Sequence, residues 1–253
     1  VFDTSYHQTM DPTHYMYAIP YEDYEKYKVR RYGAHGTSHK FVAKEVAKLM
    51  GKPLEDLKII TCHLGNGASV SAIKGGKIID TSMGFTPLEG LVMGTRTGDI
   101  DPAAVLFLMK EKGMSIAETD DYLNKQSGLL GVSGLSNDFR DIEGAMDEGH
   151  ERAQLAYDMF ALRVKKYIGA YIAELNGFDA IAFTAGIGEN DDRIRASVCE
   201  NMENLGLAID LDKNRGCRKQ AEITAEGAKV RAFIVPTNEE LAIAQETLEA
   251  LGK

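Results

Sequence analysis

The sequence predicts a mixed α/β domain, and three observations carry that prediction. Two hairpins occupy residues 58–83, helical and strand-like stretches alternate beyond residue 101, and glycine-bearing loops follow the strands. Ligands in such folds sit beyond the carboxyl ends of the strands. The organising stretch is His63-Leu-Gly-Asn-Gly-Ala-Ser-Val-Ser71. Before it, residues 58–62 are short, apolar and β-rich, as a buried strand is. After it, residues 68–73 alternate small or apolar with polar side chains. Gly75-Gly76 then supplies a two-residue turn into a third strand over 78–83. The first turn, Gly65-Asn66-Gly67, is richer in glycine than a hairpin needs. Such loops let backbone N–H groups turn outward and approach a phosphate. A tight turn alone would explain the glycines, but His63, Asn66 and Ser69 set three polar side chains around it.

The remaining elements follow in order. Residues 1–7 read as a strand end presenting Asp3 at its polar edge, and a chain opening inside a strand suggests a segment upstream. Residues 11–29, with Pro12, Pro20 and five tyrosines, read as an irregular surface segment. A helix starts near Thr37 or Ser38, both good N-caps, repeats apolar residues at Phe41, Val42, Val46 and Leu49, and stops at Gly51 and Pro53. Residues 84–98 form a long glycine-bearing loop carrying Arg96. Asp101 caps the next helix, with Pro102 in its first turn. Ser115 and Glu118 form a capping box for another, closed by Gly128. Residues 131–141 read as a loop ending in the polar cluster 136–141. One long amphipathic helix covers 151–176, with Leu155, Met159, Leu162, Ile168, Ile172 and Leu175 as its apolar stripe and Gly177 at its end. The strand over 178–184 runs into the glycine loop 185–190, and a helix follows from about Asp192. The last strand covers 230–235, and a capping box at 237–240 opens a terminal helix through Leu251.

The bulk composition narrows the function classes. With 253 residues the chain can build one large domain or two modest ones. At 44% apolar and 26% charged it is an ordinary globular sequence, neither disordered nor a coiled coil. A net charge of -9 argues against nucleic acid as a partner. It also makes individual arginines important if a substrate is anionic. Cys62, Cys199 and Cys217 match no zinc spacing and cannot all pair, which points to a reducing cytoplasm. No apolar run reaches the roughly 18 residues of a membrane span, and no signal peptide is visible.

Two glycine-bearing loops after strands, Gly65–Gly67 and Gly186-Ile187-Gly188-Glu189-Asn190, suggest a nucleotide gripped from two sides. Neither is a P-loop, and neither matches GxGxxG. Arg96 stands among glycines where a guanidinium can reach an anion, although a plain surface arginine would look the same. His35, between Gly33 and Gly36, can donate to an oxyanion or cap the helix behind it. His35 and His39 have metal-ligand spacing but lack an acidic partner in the motif, so zinc is disfavoured. Asp3 can orient a substrate, hold Mg²⁺ or be merely solvated. Glu239 sits in a capping turn, where a structural role is the default, and Asp99 and Asp101 are explained as helix-start residues.

Taken together these segments resemble the acetate kinases. The matching runs are Val1-Phe-Asp-Thr-Ser-Tyr-His7, Arg30-Arg-Tyr-Gly-Ala-His-Gly-Thr-Ser-His39, His63-Leu-Gly-Asn-Gly-Ala-Ser69 and Met93-Gly-Thr-Arg-Thr-Gly-Asp-Ile-Asp-Pro102. Asn137-Asp-Phe-Arg-Asp141, Phe183-Thr-Ala-Gly-Ile-Gly-Glu-Asn190 and Pro236-Thr-Asn-Glu-Glu240 follow in the family's order, so the resemblance spans the chain. It implies an actin-like ATPase (ribonuclease H-like) domain, a mixed sheet flanked by helices. It implies Mg²⁺-dependent, reversible phosphoryl transfer from ATP to acetate, giving acetyl phosphate and ADP, in a cytoplasmic homodimer. His63, Gly65, Asn66 and Gly67 would contact the ATP phosphates. Asp138, Phe139 and Arg140 with Gly186, Ile187, Gly188 and Asn190 would line the adenosine pocket. His35 and Arg96 would bind the phosphoryl group in flight, Asp3 would serve the acetate end and Glu239 would support Mg²⁺. A carboxylate is already ionised at neutral pH, so the reaction needs charge neutralisation and in-line placement more than a base.

The resemblance also sets expected boundaries. Residues 1–6 would be a strand remnant of an N-terminal domain with no counterpart here. Residues 7–237 would be the nucleotide-binding domain, and 238–253 a helix packing with that absent domain. Ala34 stands where many members carry an aromatic before the histidine, which keeps propionate open as the acid. A non-catalytic nucleotide-binding or dimerisation fragment is the rival from another class.

Overall fold

The computed structural model describes residues 2–250. Among them, six strands form one sheet: β1 (Lys58–Leu64), β2 (Ala68–Lys74), β3 (Lys77–Thr81), β4 (Ala180–Thr184), β5 (Ala221–Glu222) and β6 (Arg231–Ile234). Their order is β3-β2-β1-β4-β6-β5. The first three strands pair antiparallel, β4 adds parallel to β1 and β6 parallel to β4, and β5 closes the edge antiparallel. Gly75 and Gly76 both have positive φ, the backbone that a two-residue hairpin turn demands and that glycine adopts without strain.

The helices are α1 (Pro12–Tyr15), α2 (Tyr21–Tyr27), α3 (Gly36–Met50), α4 (Pro102–Lys112), α5 (Ile116–Lys125) and α6 (Gly128–Ser133). Beyond these come α7 (Phe139–Asp147), α8 (Glu151–Leu175), α9 (Ala185–Asn190), α10 (Asp192–Cys199), α11 (Leu211–Asn214) and α12 (Glu239–Ala250). The sheet is covered on both faces. Val42, Ala43, Val46 and Ala47 of α3 pack on Ile59, Ile73, Ala180, Ala182 and Phe233. Ala156, Phe160, Val164 and Ile168 of α8 pack on Ile60, Cys62, Val70, Ile181 and Phe183. Strand periodicity explains the division, because successive side chains of β1 point to opposite faces. Ile60, Cys62 and Leu64 enter the α8 layer, while Ile59 enters the α3 layer together with Thr61 and His63 on the same edge of the pleat. Each large apolar side chain so buried contributes about 1.5–3 kcal/mol.

Several expectations are corrected. The strand over 1–6 is not formed among the described residues. Asp3-Thr4 is a turn and Ser5–Thr9 a 3-10 helix. The Ser5 N–H and hydroxyl both donate to the Phe2 carbonyl, and this local bonding turns the backbone away from an extended path. The supposedly irregular 11–29 holds α1 and α2. Gly128 opens α6 in the left-handed region rather than closing α5. On α8, Leu155, Met159 and Leu162 are exposed, whereas Ala153, Ala156, Tyr157, Phe160 and Val164 are buried. This helix is apolar on two sides: the aromatic Tyr157 and Phe160 of its first half turn inward, and the aliphatic Leu155, Met159 and Leu162 face outward. The terminal helix is capped by Asn238, whose Oδ1 accepts from the Leu241 N–H, and it packs against α3. Residues 251–253 lie outside the described residues. Cys62, Cys199 and Cys217 are free thiols, and among the described residues no helix is long and apolar enough to cross a membrane.

Candidate active site

The carboxyl ends of β1 and β4 deliver the two glycine segments side by side. At β1, His63 pairs in register with Thr184 of β4 and with Ser69 of β2. The turn Gly65–Gly67 closes on itself, with the Gly65 N–H donating to the Gly67 carbonyl, and is clamped from outside where Gly94 N–H donates to the Asn66 carbonyl. A Cβ at Gly94 would fall 1.8 Å from Asn66 Oδ1, so any side chain there would displace the Asn66 amide. At β4 the chain enters α9 through Ala185 at φ +65°, a left-handed backbone rare for a side chain. Non-glycine residues held in that region recur at functional sites. Glu189 Oε1 holds the junction by accepting from the N–H groups of Ala185 and Thr237.

Between these segments opens a cleft of about 610 Å³. Of the residues expected at a nucleotide, Gly65, Asn66, Asp138, Phe139, Arg140, Gly186, Ile187 and Asn190 line it together. Asn137, Glu143, Asp191, Asp192 and Arg218 line it too and were not foreseen. Asn137 follows the same loop and donates to Asn66 Oδ1 at 3.1 Å. The spacing Asp138 to Glu143 around an α7 start was the one signal that could have found Glu143, while Arg218 lies in a segment with no periodicity. Asp138 is the N-cap of α7, and its carboxylate accepts three times from Arg140, at 2.6–3.0 Å. Those bonds hold the Asp138 carboxyl down at about 2. Phe139 contributes only its edge, since its ring is buried against Tyr157 and Phe160.

Glu143 is the odd carboxyl of the cleft. Burial first, then the Asp191 charge, pushes it up to about 7. Arg193 lies 3.5 Å from its Oε1, too far to bond well. A folded-state value above the ordinary one means that the folded chain keeps a proton the unfolded chain releases. That contribution is complete below pH about 4.5 and is lost as pH rises through about 7. Glu143→Gln, which cannot ionise, is therefore expected to raise Tm at pH 8 by a few degrees over the parent and to leave it unchanged near pH 4. Thermal melts across that range check it, and equal shifts at both ends would remove the charged Glu143 as the cause.

A second focus lies at the mouth of the cleft. His63, Gly67 and Gly188 do not line the cleft itself. Gly188 lies on the backbone of Phe183 and Cys62, where a Cβ would make ordinary contacts at 3.4 and 3.5 Å. Gly67 lies under two nitrogen-bearing side chains: a Cβ placed on it would sit 3.5 Å from Arg96 Nη1 and 3.6 Å from His35 Nε2. Arg96 is steadied by Nη1 donating to the Pro87 carbonyl at 3.0 Å. His35 is the residue before α3, at φ +59°. Its N–H donates to Asp3 Oδ2 at 2.6 Å, and Gly36 N–H donates to the Asp3 carbonyl. Gly36 leaves no room for a side chain, since a Cβ would be 2.3 Å from that carbonyl oxygen. His35 stacks on His63 with ring centres 4.0 Å apart. Burial lowers both imidazoles, His63 to about 3, so the pair stacks as neutral rings. His63 in turn bonds Ser38 Oγ, which bonds Thr237 Oγ1. Thr237 is thus tied to the site rather than capping α12. Glu239 is pushed above its ordinary carboxyl range, by burial and then by Asp3.

A sheet of order 3-2-1-4-6 with only the second strand reversed, and a cleft at the carboxyl ends of its two central strands, defines an actin-like, ribonuclease H-like domain. Comparison with known proteins then places it more closely. The chain belongs to the acetokinase family, whose model matches residues 1–245. The acetate kinase of Acetivibrio thermocellus is 60% identical over 98% of this chain and 62% of its own length. Among solved structures, Porphyromonas gingivalis acetate kinase superposes with a TM-score of 0.98 at 48% identity, over 99% of this chain and 63% of that one. A propionate kinase from Francisella tularensis superposes at 0.91 and 46% identity, over 97% of this chain and 62% of that one. The chain thus spans somewhat under two thirds of the length of the relatives it matches.

Proposed function

We propose that this chain carries the nucleotide and phosphoryl-transfer site of an acetate kinase, which moves the γ-phosphoryl of ATP reversibly to acetate and yields acetyl phosphate and ADP. The observation that carries the reading is the convergence of Arg96 and His35 over Gly67, at the mouth of a cleft lined by both glycine segments. The adenosine of ATP/ADP would lie in the cleft against Ile187 and Arg140. Its phosphates would run along Gly65–Gly67 toward Arg96, with His63 beneath and Gly188 at the start of α9 beside them. Arg96 offers fixed donors to an anion, and His35 adds one more. Donors already in place where charge gathers lower a phosphoryl-transfer barrier without reorganising. Asp3 fixes the backbone of His35 and would define the acetate end.

Mg²⁺ fits the residues present. Burial first, and then the Asp3 charge, raise the Glu239 carboxyl, and a hard dication would relieve both. Glu239 would hold the ion, and Mg²⁺ would supply neutralisation of phosphate charge when bound. Among the described residues no group of three or more ligating side chains could hold a metal alone, in keeping with an ion that takes phosphate and water as its other ligands. Chelation by EDTA is expected to abolish acyl phosphate formation and excess Mg²⁺ to restore it. Activity that survives chelation would remove the metal from the scheme.

The test is hydroxamate detection of acyl phosphate from ATP with acetate or propionate. It is run on the chain alone and on the chain fused to the part of the Acetivibrio thermocellus relative that it does not match. Nucleotide binding without product from either acid in both proteins would leave a non-catalytic module. Propionate is the second reading, favoured by small, buried Ala34 one residue from His35. A higher kcat/KM for propionate would select it. The expected boundaries at 1–6, 7–237 and 238–253 remain part of this proposal, as does a reducing cytoplasmic setting.

A homodimer belongs to the same proposal. The outer face of α8 exposes Leu155, Met159 and Leu162, and α4 exposes Leu106 and Phe107 at 66% and 62%. Arg163 and Tyr167 of α8 bond Asp99 just before α4. Sedimentation is expected to show a two-chain species. A monomer at every concentration would discard it.

A further inference from the structure

One buried set of groups behind the site has no task in the scheme above. His39, Thr61 and Ser69 are fully buried on the α3 side of β1 and β2. His39 Nδ1 lies 2.7 Å from Thr61 Oγ1 and its Nε2 2.8 Å from Ser69 Oγ. The same Ser69 oxygen lies 2.8 Å from His35 Nδ1. We propose that His39 and Ser69 are positioning residues that fix His35 as a neutral imidazole carrying its proton on Nε2, the nitrogen beside Arg96. This inference rests on the reading of His35 as the group that faces the transferred phosphoryl.

The argument is a count of protons. Each of the three bonds needs one hydrogen, and each hydroxyl and each neutral imidazole supplies one. Donation can run in one direction, from Thr61 O–H to His39 Nδ1, from His39 Nε2–H to Ser69 Oγ, and from Ser69 O–H to His35 Nδ1. His35 is then left with its proton on Nε2, facing outward. In the reverse direction His35 Nδ1–H donates to Ser69, Ser69 to His39, and His39 Nδ1–H to Thr61. That leaves the Thr61 hydroxyl proton with no acceptor among the described residues, in a place water does not reach. Letting both histidines donate to Ser69 strands the serine proton in the same way. Folded proteins avoid buried donors without acceptors, so the first direction stands.

Charge favours the same outcome. Burial holds His39 well below its ordinary value, and His7, His63 and His35 around it act in the same sense, so it contributes one proton and no charge. At His35 burial disfavours an imidazolium, with Arg96 adding to it and the Asp3 carboxylate opposing it, and a bare Nε2 would repel an anionic oxygen. A neutral ring with Nε2–H avoids both. It donates to the phosphoryl oxygen and leaves the positive charge to Arg96.

The test reads the tautomers directly in this chain. Its six histidines are labelled with ¹⁵N and long-range ¹H–¹⁵N correlations recorded at neutral pH. His35 and His39 are both expected to show a protonated Nε2 and a bare Nδ1. In Ser69→Ala and in His39→Leu the second tautomer of His35 is expected to appear. His39→Gln, whose amide can accept from Thr61 and donate to Ser69, is expected to restore the single form. A purely structural His39 would not move the His35 tautomer in this pattern. A proton on His35 Nδ1, an imidazolium, or a His35 signal indifferent to both Ser69→Ala and His39→Leu would overturn the proposal. If His39→Leu does not fold, which collapsed His63 and His150 shifts would reveal, Ser69→Ala decides alone. The measurement needs no turnover. The expected tautomers with no acyl phosphate from either the chain or the fused protein sink the kinase reading and spare the relay, and an active enzyme with His35 protonated on Nδ1 does the reverse.

Discussion

Arg96→Ala is expected to lower the proposed acyl phosphate formation by roughly 10³-fold or more, the scale on which an arginine stabilises a phosphoryl transition state. The loss should fall on kcat more than on the KM for ATP. Arg96 stands at the Gly67 end of the site, while the cleft that would grip the nucleoside is built from other residues. The guanidinium gives Nη1 to the Pro87 carbonyl and, more weakly, to Met93 Sδ, which fixes its plane, and among the described residues its Nε and Nη2 make no hydrogen bond. Lysine at this position is not expected to rescue, because an ammonium offers a point charge in place of a fixed fork. The comparison is made by steady-state kinetics on the active form, with circular dichroism as the control for folding. Loss confined to KM would show that Arg96 binds substrate and product equally and does not act in the transfer.

Arg195→Met is expected to have the largest effect on stability. This arginine is fully buried, yet every donor it uses is answered within the protein. Its Nε donates to Asn214 Oδ1 at 2.7 Å, Nη1 to the Gly188 and Glu189 carbonyls, and Nη2 to the Cys217 and Asn214 carbonyls. Methionine keeps much of the volume and none of the bonds, so several buried acceptors lose their partner. At about 1–3 kcal/mol per abandoned group, a loss of about 3 kcal/mol overall is a restrained expectation. For a chain of this size that lowers Tm by about 6–12 °C. Because two of the acceptors belong to α9, nucleotide affinity should fall with stability. A melt unchanged within a degree would mean that water replaces the guanidinium at no cost.

What could be read from the sequence follows from where its physics is local. The β1–β2–β3 hairpins were legible because alternation and Gly75-Gly76 act over a few residues. The cleft was legible for most of its lining because its residues cluster in two short glycine segments and one capped helix start. The α8 stripe was half misread, since Leu155, Met159 and Leu162 repeat at helical spacing just as the buried set does, and only the packed neighbours decide which face turns inward. Residues 185–190 looked like a loop because Gly186 and Gly188 weaken a helix, but they form α9, held by Glu189 and Arg195. Arg195 itself was invisible, because a charged residue in a short polar helix gives no hint of burial. Thr237 carried the pattern of a cap and spends its hydroxyl on Ser38 instead, a contact 199 positions away in sequence.

The two faces of β1 bear on how this protein can change. Seven consecutive residues write the oily layer and the reactive layer in alternate letters, Ile60, Cys62 and Leu64 on one side, Thr61 and His63 on the other. Substitutions at either set can be absorbed one at a time. A single inserted or deleted residue cannot, because it exchanges the two messages at once, sending the imidazole into hydrocarbon and the leucine toward His35 and Ser38. Reading frame at the level of the pleat, more than the identity of any one side chain, is what a lineage carrying this strand must keep.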